Sequence, residues 1–201
     1  VYAFRQRGLR AAAIKPLAAG QQQDAEGRWF NDDVRHLHGA QDLGLTEDEV
    51  GPFQWRTACA PHIAAAIEGR PIDPAAVRAA IHRLAARTEA LVVEGVGGFR
   101  VPLVPGWDTA DLAVDLALPV VLVVGLRLGC INHALLTVEA IDRRGLQLAG
   151  WIGNQIDPQM LRAAQNIDSL RERIPAPLLG VLPWRERPDP ATHAGHLRLP
   201  D

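Results

Sequence analysis

The chain has 201 residues, enough for a single α/β domain over 1–201 with a core of its own. Hydrophobic residues make up 48%, charged residues 22%, and the formal net charge is −2. That balance excludes bulk electrostatic steering to nucleic acid or a membrane surface, and no apolar run approaches the roughly 18 residues that span a bilayer.

The basic residues are unevenly chosen. Of 21 lysines and arginines, only Lys15 is lysine. A GC-rich coding preference accounts for the arginines but not for the one lysine retained. A compact ammonium suits a point contact with phosphate or carboxylate, for which a planar guanidinium is bulkier and differently directed. Cys59 and Cys130 lie far apart without metal-ligand spacing and read as reduced thiols of a cytoplasmic protein. Residues 1–9 are amphipathic and basic, unlike the apolar core of a secretory leader.

Along the chain, strand-like apolar runs alternate with amphipathic helical segments, the pattern of a parallel α/β sheet. Residues 11–14 form a short buried strand leading into Lys15-Pro16. The polar stretch 18–51 reads as loop with a short helix near Asp33. Helices are expected over 57–68, where Pro61-His62 provides a proline start, and over 74–87. Residues 90–93 form a strand that stops at Glu94. A helix over 109–116 precedes PVVLVVG at 119–125, apolar on both faces as a central parallel strand is. A helix over 131–144 ends at Gly145, followed by a strand over 146–153, a helix over 158–174 and a strand over 178–182.

Lys15, Glu94, Gly129-Cys130, Asn154 and Pro183-Trp184 all fall where strands stop. Ligands of open parallel sheets bind at these carboxyl ends. Glu94-Gly95-Val96-Gly97-Gly98 combines a carboxylate with a turn whose N–H groups can approach an anion, and beside phosphate that carboxylate suits Mg²⁺. A plain glycine turn with an exposed glutamate fits the same letters. In Asn31-Asp32-Asp33, Asp32 or Asp33 reads as a helix N-cap or as a second carboxylate on the same cation. The helix start at 128–134 (LGCINHA) offers N–H groups to a carboxylate or phosphate. Cys130 has no partnered base at nucleophile spacing, and His133 reads as packing or capping. Asn154 with Gln155 fits an adenine edge or a polar loop. Trp184 fits a core, a surface or a wall of a base pocket.

These segments resemble the dethiobiotin synthetase family. VEGVGG at 93–98 is similar to that family's VEGAGG, and IKPLAAG at 14–20 to its KPVASG. LGCINHA at 128–134, IPAPLLG at 174–180 with Leu182-Pro183-Trp184, and APH at 60–62 with EGRPI at 68–72 also match. The likeness runs in register from Val1 to about Asp189, with one inserted residue before Asp33 and short gaps near the C-terminus.

The resemblance implies a homodimeric, P-loop NTPase-like parallel sheet with helices on both faces. It also implies ATP-dependent joining of CO₂ to 7,8-diaminononanoate with closure of a cyclic urea. By the same resemblance, Lys15 is the catalytic lysine, and Asp33 and Glu94 hold Mg²⁺, with Gly95, Val96 and Gly97 beside the phosphates. Asn154 and Gln155 read the adenine, which Pro183, Trp184, Arg185 and Asp189 frame. Gly129, Cys130, Ile131 and Asn132 receive the substrate carboxylate across the dimer interface. Ala19 stands where the family commonly has serine near the substrate, which removes one hydroxyl contact. The family's first strand and GxxxxGK[ST] loop are expected before Val1; their absence from the 201 residues implies marginal stability and inactivity for this chain alone. Two other classes compete. A glutaminase-coupled amidating enzyme would need a further domain with a catalytic cysteine. A partitioning-type nucleotide switch would need an amphipathic or basic surface.

Overall fold

Four consecutive small or apolar residues without a charge, Ala11 to Ile14, are each wholly shielded from solvent, as a parallel strand covered on both faces requires. They seed the first of two units into which the computed structural model divides the chain, Val1–Leu116 and a second beginning at Ala117; residues 1–200 are described. In the first unit the order is α1 (Tyr2–Gln6), β1 (Ala11–Ile14), β2 (Leu17–Ala19), a β3/β4 hairpin (Gln22–Gln23 and Trp29–Phe30), α2 (Asp32–Gly39), α3 (Glu47–Val50) and β5 (Phe53–Trp55). Then come α4 (Pro61–Ile67), α5 (Pro74–Ala85), β6 (Ala90–Val93), a β7/β8 hairpin (Pro102–Val104 and Trp107–Asp108) and α6 (Thr109–Leu116).

β1 and β6 pair in parallel, Ala11 opposite Ala90 and Ile14 opposite Val93. Helices α1, α2 and α3 pack on β1, and α5 packs on β6. β2 and β5 form a second parallel pair, with Ala19 opposite Trp55. One core joins them: Ile14, Leu17, Val34, Val50, Trp55, Val77, Ile81 and Leu103 are all buried in it.

The second unit contains β9 (Val120–Leu126), α7 (Cys130–Arg143), β10 (Leu148–Gln155), α8 (Ala163–Arg173), β11 (Leu178–Leu182) and α9 (Pro190–Ala194). Its three-stranded sheet is parallel throughout, in the order β11-β10-β9. α7 packs on β9, β10 and α8. The core centres on Trp151 of β10, with Val124, Leu126, Cys130, Leu170 and Ile174. The C-terminal segment closes on β11, where the Arg198 N–H donates to Leu179 O at 2.7 Å. A Cβ on Gly180 would lie 2.1 Å from His196 O, so only glycine permits this approach.

The parallel α/β class, the strands at 11–14, 90–93 and 178–182 and the helix over 109–116 match the expectations. Several details do not. Residues 18–51 are more ordered than a loop with one helix, because β2, the β3/β4 hairpin and α3 lie within or overlap them. α3 carries a full capping box: Glu49 N–H donates to the Thr46 side chain, and Thr46 N–H to the Glu49 carboxylate. The helix expected from residue 57 begins at Pro61; Thr57 instead donates its N–H and hydroxyl to the Glu68 carboxylate, at 2.8 and 3.0 Å. The helix expected from residue 158 begins at Ala163, after Arg162 takes a left-handed φ of 59°. The strand expected at 146–153 runs from Leu148 to Gln155, placing Asn154 and Gln155 inside its end. Within the three-stranded sheet of this unit the middle strand is β10, while PVVLVVG forms the border strand β9, with Val123 57% exposed.

Candidate functional site

The β1–β6 ladder sets the site. Ile14 and Val93 are the last paired residues, and the Glu94 N–H donates to Ile14 O at 2.8 Å. Lys15 and Glu94 therefore leave adjacent parallel strands side by side. The Lys15 N–H is held by Val50 O at 2.8 Å, which ties the strand end to the C-terminus of α3. A third group arrives from α2, whose first turn contains Asp32 and Asp33, a favourable place for negative charge beside the helix dipole.

These elements converge on one nitrogen. Lys15 Nζ lies 2.7 Å from Glu94 Oε1 and 2.9 Å from Asp33 Oδ2. The lysine is only 5% exposed, while the Asp33 and Glu94 side chains are 55% and 41% exposed. A buried ammonium is costly unless paired, and removing the partners of a buried charge costs about 3–5 kcal/mol. Burial pulls the Lys15 pKa down, but the hydrogen bonds to Asp33 and Glu94 and their charges outweigh it, and the net shift is upward from 10.5.

The two half-open carboxylates also fit a divalent cation. Mg²⁺ accepts hard oxygen donors, takes one or two carboxylates and completes its shell with water and phosphate oxygens. Among the described residues no three His, Cys, Asp or Glu side chains gather, so Asp33 and Glu94 stand as a two-carboxylate set. Gly95, Val96 and Gly97 follow Glu94 directly. Gly97 has φ +71° and Gly98 +146°, so the turn depends on glycine there. Ala19 ends β2, with Gly20 N–H bonded to Trp55 O at 3.0 Å.

Two further buried side chains bond the segments beside this arrangement, and neither was expected from the sequence. The N-cap of α2 is Asn31, not Asp32 or Asp33: its Oδ1 accepts from Val34 N at 3.2 Å. Its amide also donates to Gly20 O at 3.1 Å and reaches Ala19 O at 3.5 Å. This tertiary contact selects the cap among three neighbours that could each serve. Thr109, at the start of α6, donates to Phe99 O at 2.7 Å and accepts from Val101 N at 2.9 Å. Its only sequence signal is a threonine at a helix start.

The second unit carries the remaining expected residues. Asn154 lies opposite Leu182 in the β10–β11 ladder, and the Trp184 N–H donates to Gln155 Oε1 at 3.3 Å. Asn154, Gln155, Pro183 and Trp184 thus share one end of that sheet, with Trp184 46% exposed and Arg185 exposed beside it. Asp189 caps α9, accepting from Ala191 N and Thr192 N at 3.2 and 3.1 Å. Bonds from the Thr192 hydroxyl and backbone hold its pKa below the usual carboxylate value. Gly129, at φ +91°, is the N-cap of α7. Cys130 is buried below it, Ile131 is half-buried and Asn132 is exposed.

A parallel α/β unit with an ammonium between two carboxylates at its strand ends suits nucleotide chemistry, and a family model described as an AAA domain matches residues 1–192. An ATP-dependent dethiobiotin synthetase BioD of Aromatoleum aromaticum is 56% identical over 200 residues, covering 100% of this chain and 88% of its own length. Another of that name, from a Janthinobacterium species, is 48% identical, covering 98% and 85%. The chain belongs to the ATP-dependent dethiobiotin synthetase family. Among solved structures, the MinD cell division protein of Aquifex aeolicus matches with a TM-score of 0.47 at 13% identity, over 96% of this chain and 75% of that one.

Proposed function

We propose that this protein catalyses the reaction for which its relatives are named: it is a carbon–nitrogen cyclo-ligase that forms dethiobiotin from 7,8-diaminononanoate, CO₂ and ATP. The observation that carries the reading is the Lys15–Asp33–Glu94 cluster in a chain 56% identical to a dethiobiotin synthetase. A carbamate formed from one substrate amine takes the γ-phosphoryl group of ATP. The second amine then attacks the activated carbonyl, and phosphate leaves as the ring closes. Such transfers need positioning and charge neutralisation more than a covalent nucleophile.

Lys15 supplies a fixed positive charge for the carbamate and the γ-phosphate; its buried stem and paired head hold the Nζ in place. Asp33 and Glu94 are the residues that would hold Mg²⁺, which supplies charge neutralisation to the phosphate oxygens when bound. The Gly95–Gly97 turn brings backbone N–H groups close to anionic oxygens. Asn154 and Gln155 offer amide donors and acceptors to the adenine edge, with Pro183, Trp184, Arg185 and Asp189 around the base. Gly129, Cys130, Ile131 and Asn132 at the start of α7 fit the substrate carboxylate. The protein acts as a cytoplasmic homodimer in which this helix start serves the partner's site, and Ala19 leaves the substrate one hydroxyl contact fewer. Among the described residues no helix is long and apolar enough to cross a membrane.

The test is incorporation of labelled CO₂ into acid-stable product by the intact gene product, expressed from its own initiator codon. Product that requires diaminononanoate, ATP and Mg²⁺ together supports the reading. Nucleotide binding without product, under the same conditions, would move the assignment to an amidating enzyme or a nucleotide switch.

A further inference from the structure

Three polar or charged residues are buried among the described residues: Lys15 at 5% exposure, Asn31 at 7% and Thr109 at 8%. Burying a polar side chain is unfavourable unless its hydrogen-bonding groups are matched, so each must be accounted for. Lys15 is the centre of the cluster. The other two bind the two chain segments that deliver its carboxylates.

Asn31 precedes Asp33 by two residues. One end of its amide caps α2 through Val34 N, and the other is bonded to Gly20 O just past β2. It thereby fixes the first turn of α2 to the segment that follows Lys15 by a few residues. Thr109 follows Glu94 by one turn and a hairpin. Its hydroxyl donates to Phe99 O, lies 3.2 Å from Gly98 O and accepts from Val101 N. The Thr109 N–H completes the closure on Val101 O at 3.0 Å. Gly98 at φ +146° ends the turn that begins at Glu94, so the threonine clamps the far side of a segment that glycine leaves soft.

We infer that Asn31 and Thr109 are paired positioning residues: Asn31 sets the Asp33 arm, and Thr109 sets the Glu94 arm, of the carboxylate pair on Lys15. The inference rests on the proposed function for its kinetic consequence but not for its geometry. Neither residue touches the reacting groups in this role. Both act through the acids, as the groups that support metal-binding carboxylates do.

The Lys15 ammonium provides a direct readout. In protein labelled with [¹⁵N]lysine, its side-chain signal is assigned by its loss in Lys15→Arg, and its position and exchange with water at fixed pH report its pairing without any turnover. Asn31→Ser keeps a capping oxygen but removes the donor to Gly20. Thr109→Val keeps the shape but removes the hydroxyl, and Thr109→Ser restores it. The expected result is faster exchange and a displaced Lys15 signal in the Asn31→Ser and Thr109→Val proteins. Their KM for MgATP should rise about 10- to 100-fold, and Thr109→Ser should return close to the parent. Displaced signals in these variants of a parent that makes no dethiobiotin would overturn the proposed reaction and leave the positioning roles standing. An unchanged Lys15 signal in folded Thr109→Val, or loss of activity that Thr109→Ser does not rescue, would overturn the inference.

Discussion

At the ends of β1 and β6 stand an ammonium and a carboxylate, joined by a second carboxylate from the first turn of α2, with the ammonium bonded to them at 2.7 and 2.9 Å. At the ends of β10 and β11 stand two amides, a proline and a tryptophan, and β9 leads through a glycine into a helix start. Both are carboxyl ends of parallel strands, yet one concentrates full charge on a buried nitrogen and the other offers neutral donors, acceptors and an aromatic face. The first arrangement suits developing charge on a transferring phosphoryl group. The second suits recognition of a planar base. Under the proposed function, one strand-end geometry therefore serves two tasks, and the residues at each strand end decide which.

The sharpest way to break the contrast is Lys15→Arg. The substitution keeps the charge but puts a planar fork where two acids and a strand end have shaped room for a compact head. Turnover is expected to fall at least about 10²–10³-fold in a protein that remains folded. Wild-type-like turnover would remove Lys15 from the mechanism. The raised pKa adds a check of sign. The stabilising effect of the pair is fully present below the unfolded value of 10.5 and is lost as pH rises through the higher folded value. The parent should therefore lose stability in that alkaline range, and the arginine variant should not.

A smaller effect is expected in the second region. Gln155→Ala removes the acceptor for the Trp184 N–H and one amide that the proposed function assigns to the base. A single such loss corresponds to about a tenfold rise in nucleotide KM, with kcat within about twofold. A kcat loss as large as that of Lys15→Arg would show that the amide end also takes part in the chemical step.

How far the sequence disclosed these two ends follows from how local each feature is. The run of small and apolar residues before Lys15-Pro16 announces β1, and the glycines after Glu94 announce its turn, because strand and turn propensities act over a few residues. The pairing of β2 with β5 was not legible, since each strand has three residues and their parallel contact depends on the chain between them. α3 has the spacing of a capping box, but a four-residue helix carries too little periodicity to stand out from its polar surroundings. Asn31, Asp32 and Asp33 are equally plausible caps by type, and only the carbonyl of Gly20 distinguishes them. Val121 and Val123 read as core because β-branched runs suit central strands, whereas in the structure β9 borders its sheet.

The smallest effect compares the two cores through their largest fully buried side chains, Trp55 and Trp151. The indole N–H of Trp55 donates to Arg70 O at 3.1 Å, whereas that of Trp151 is buried without a hydrogen-bond partner. Replacing either with phenylalanine removes similar volume and creates a similar packing defect. Trp55→Phe also loses a hydrogen bond worth about 1 kcal/mol, while Trp151→Phe relieves an unmatched donor. The denaturation midpoint should therefore fall more for Trp55→Phe, by about 1–2 kcal/mol of stability relative to Trp151→Phe. Equal losses at unchanged m-values would mean that the Trp55–Arg70 bond adds nothing to stability and that the two cores differ only in packing.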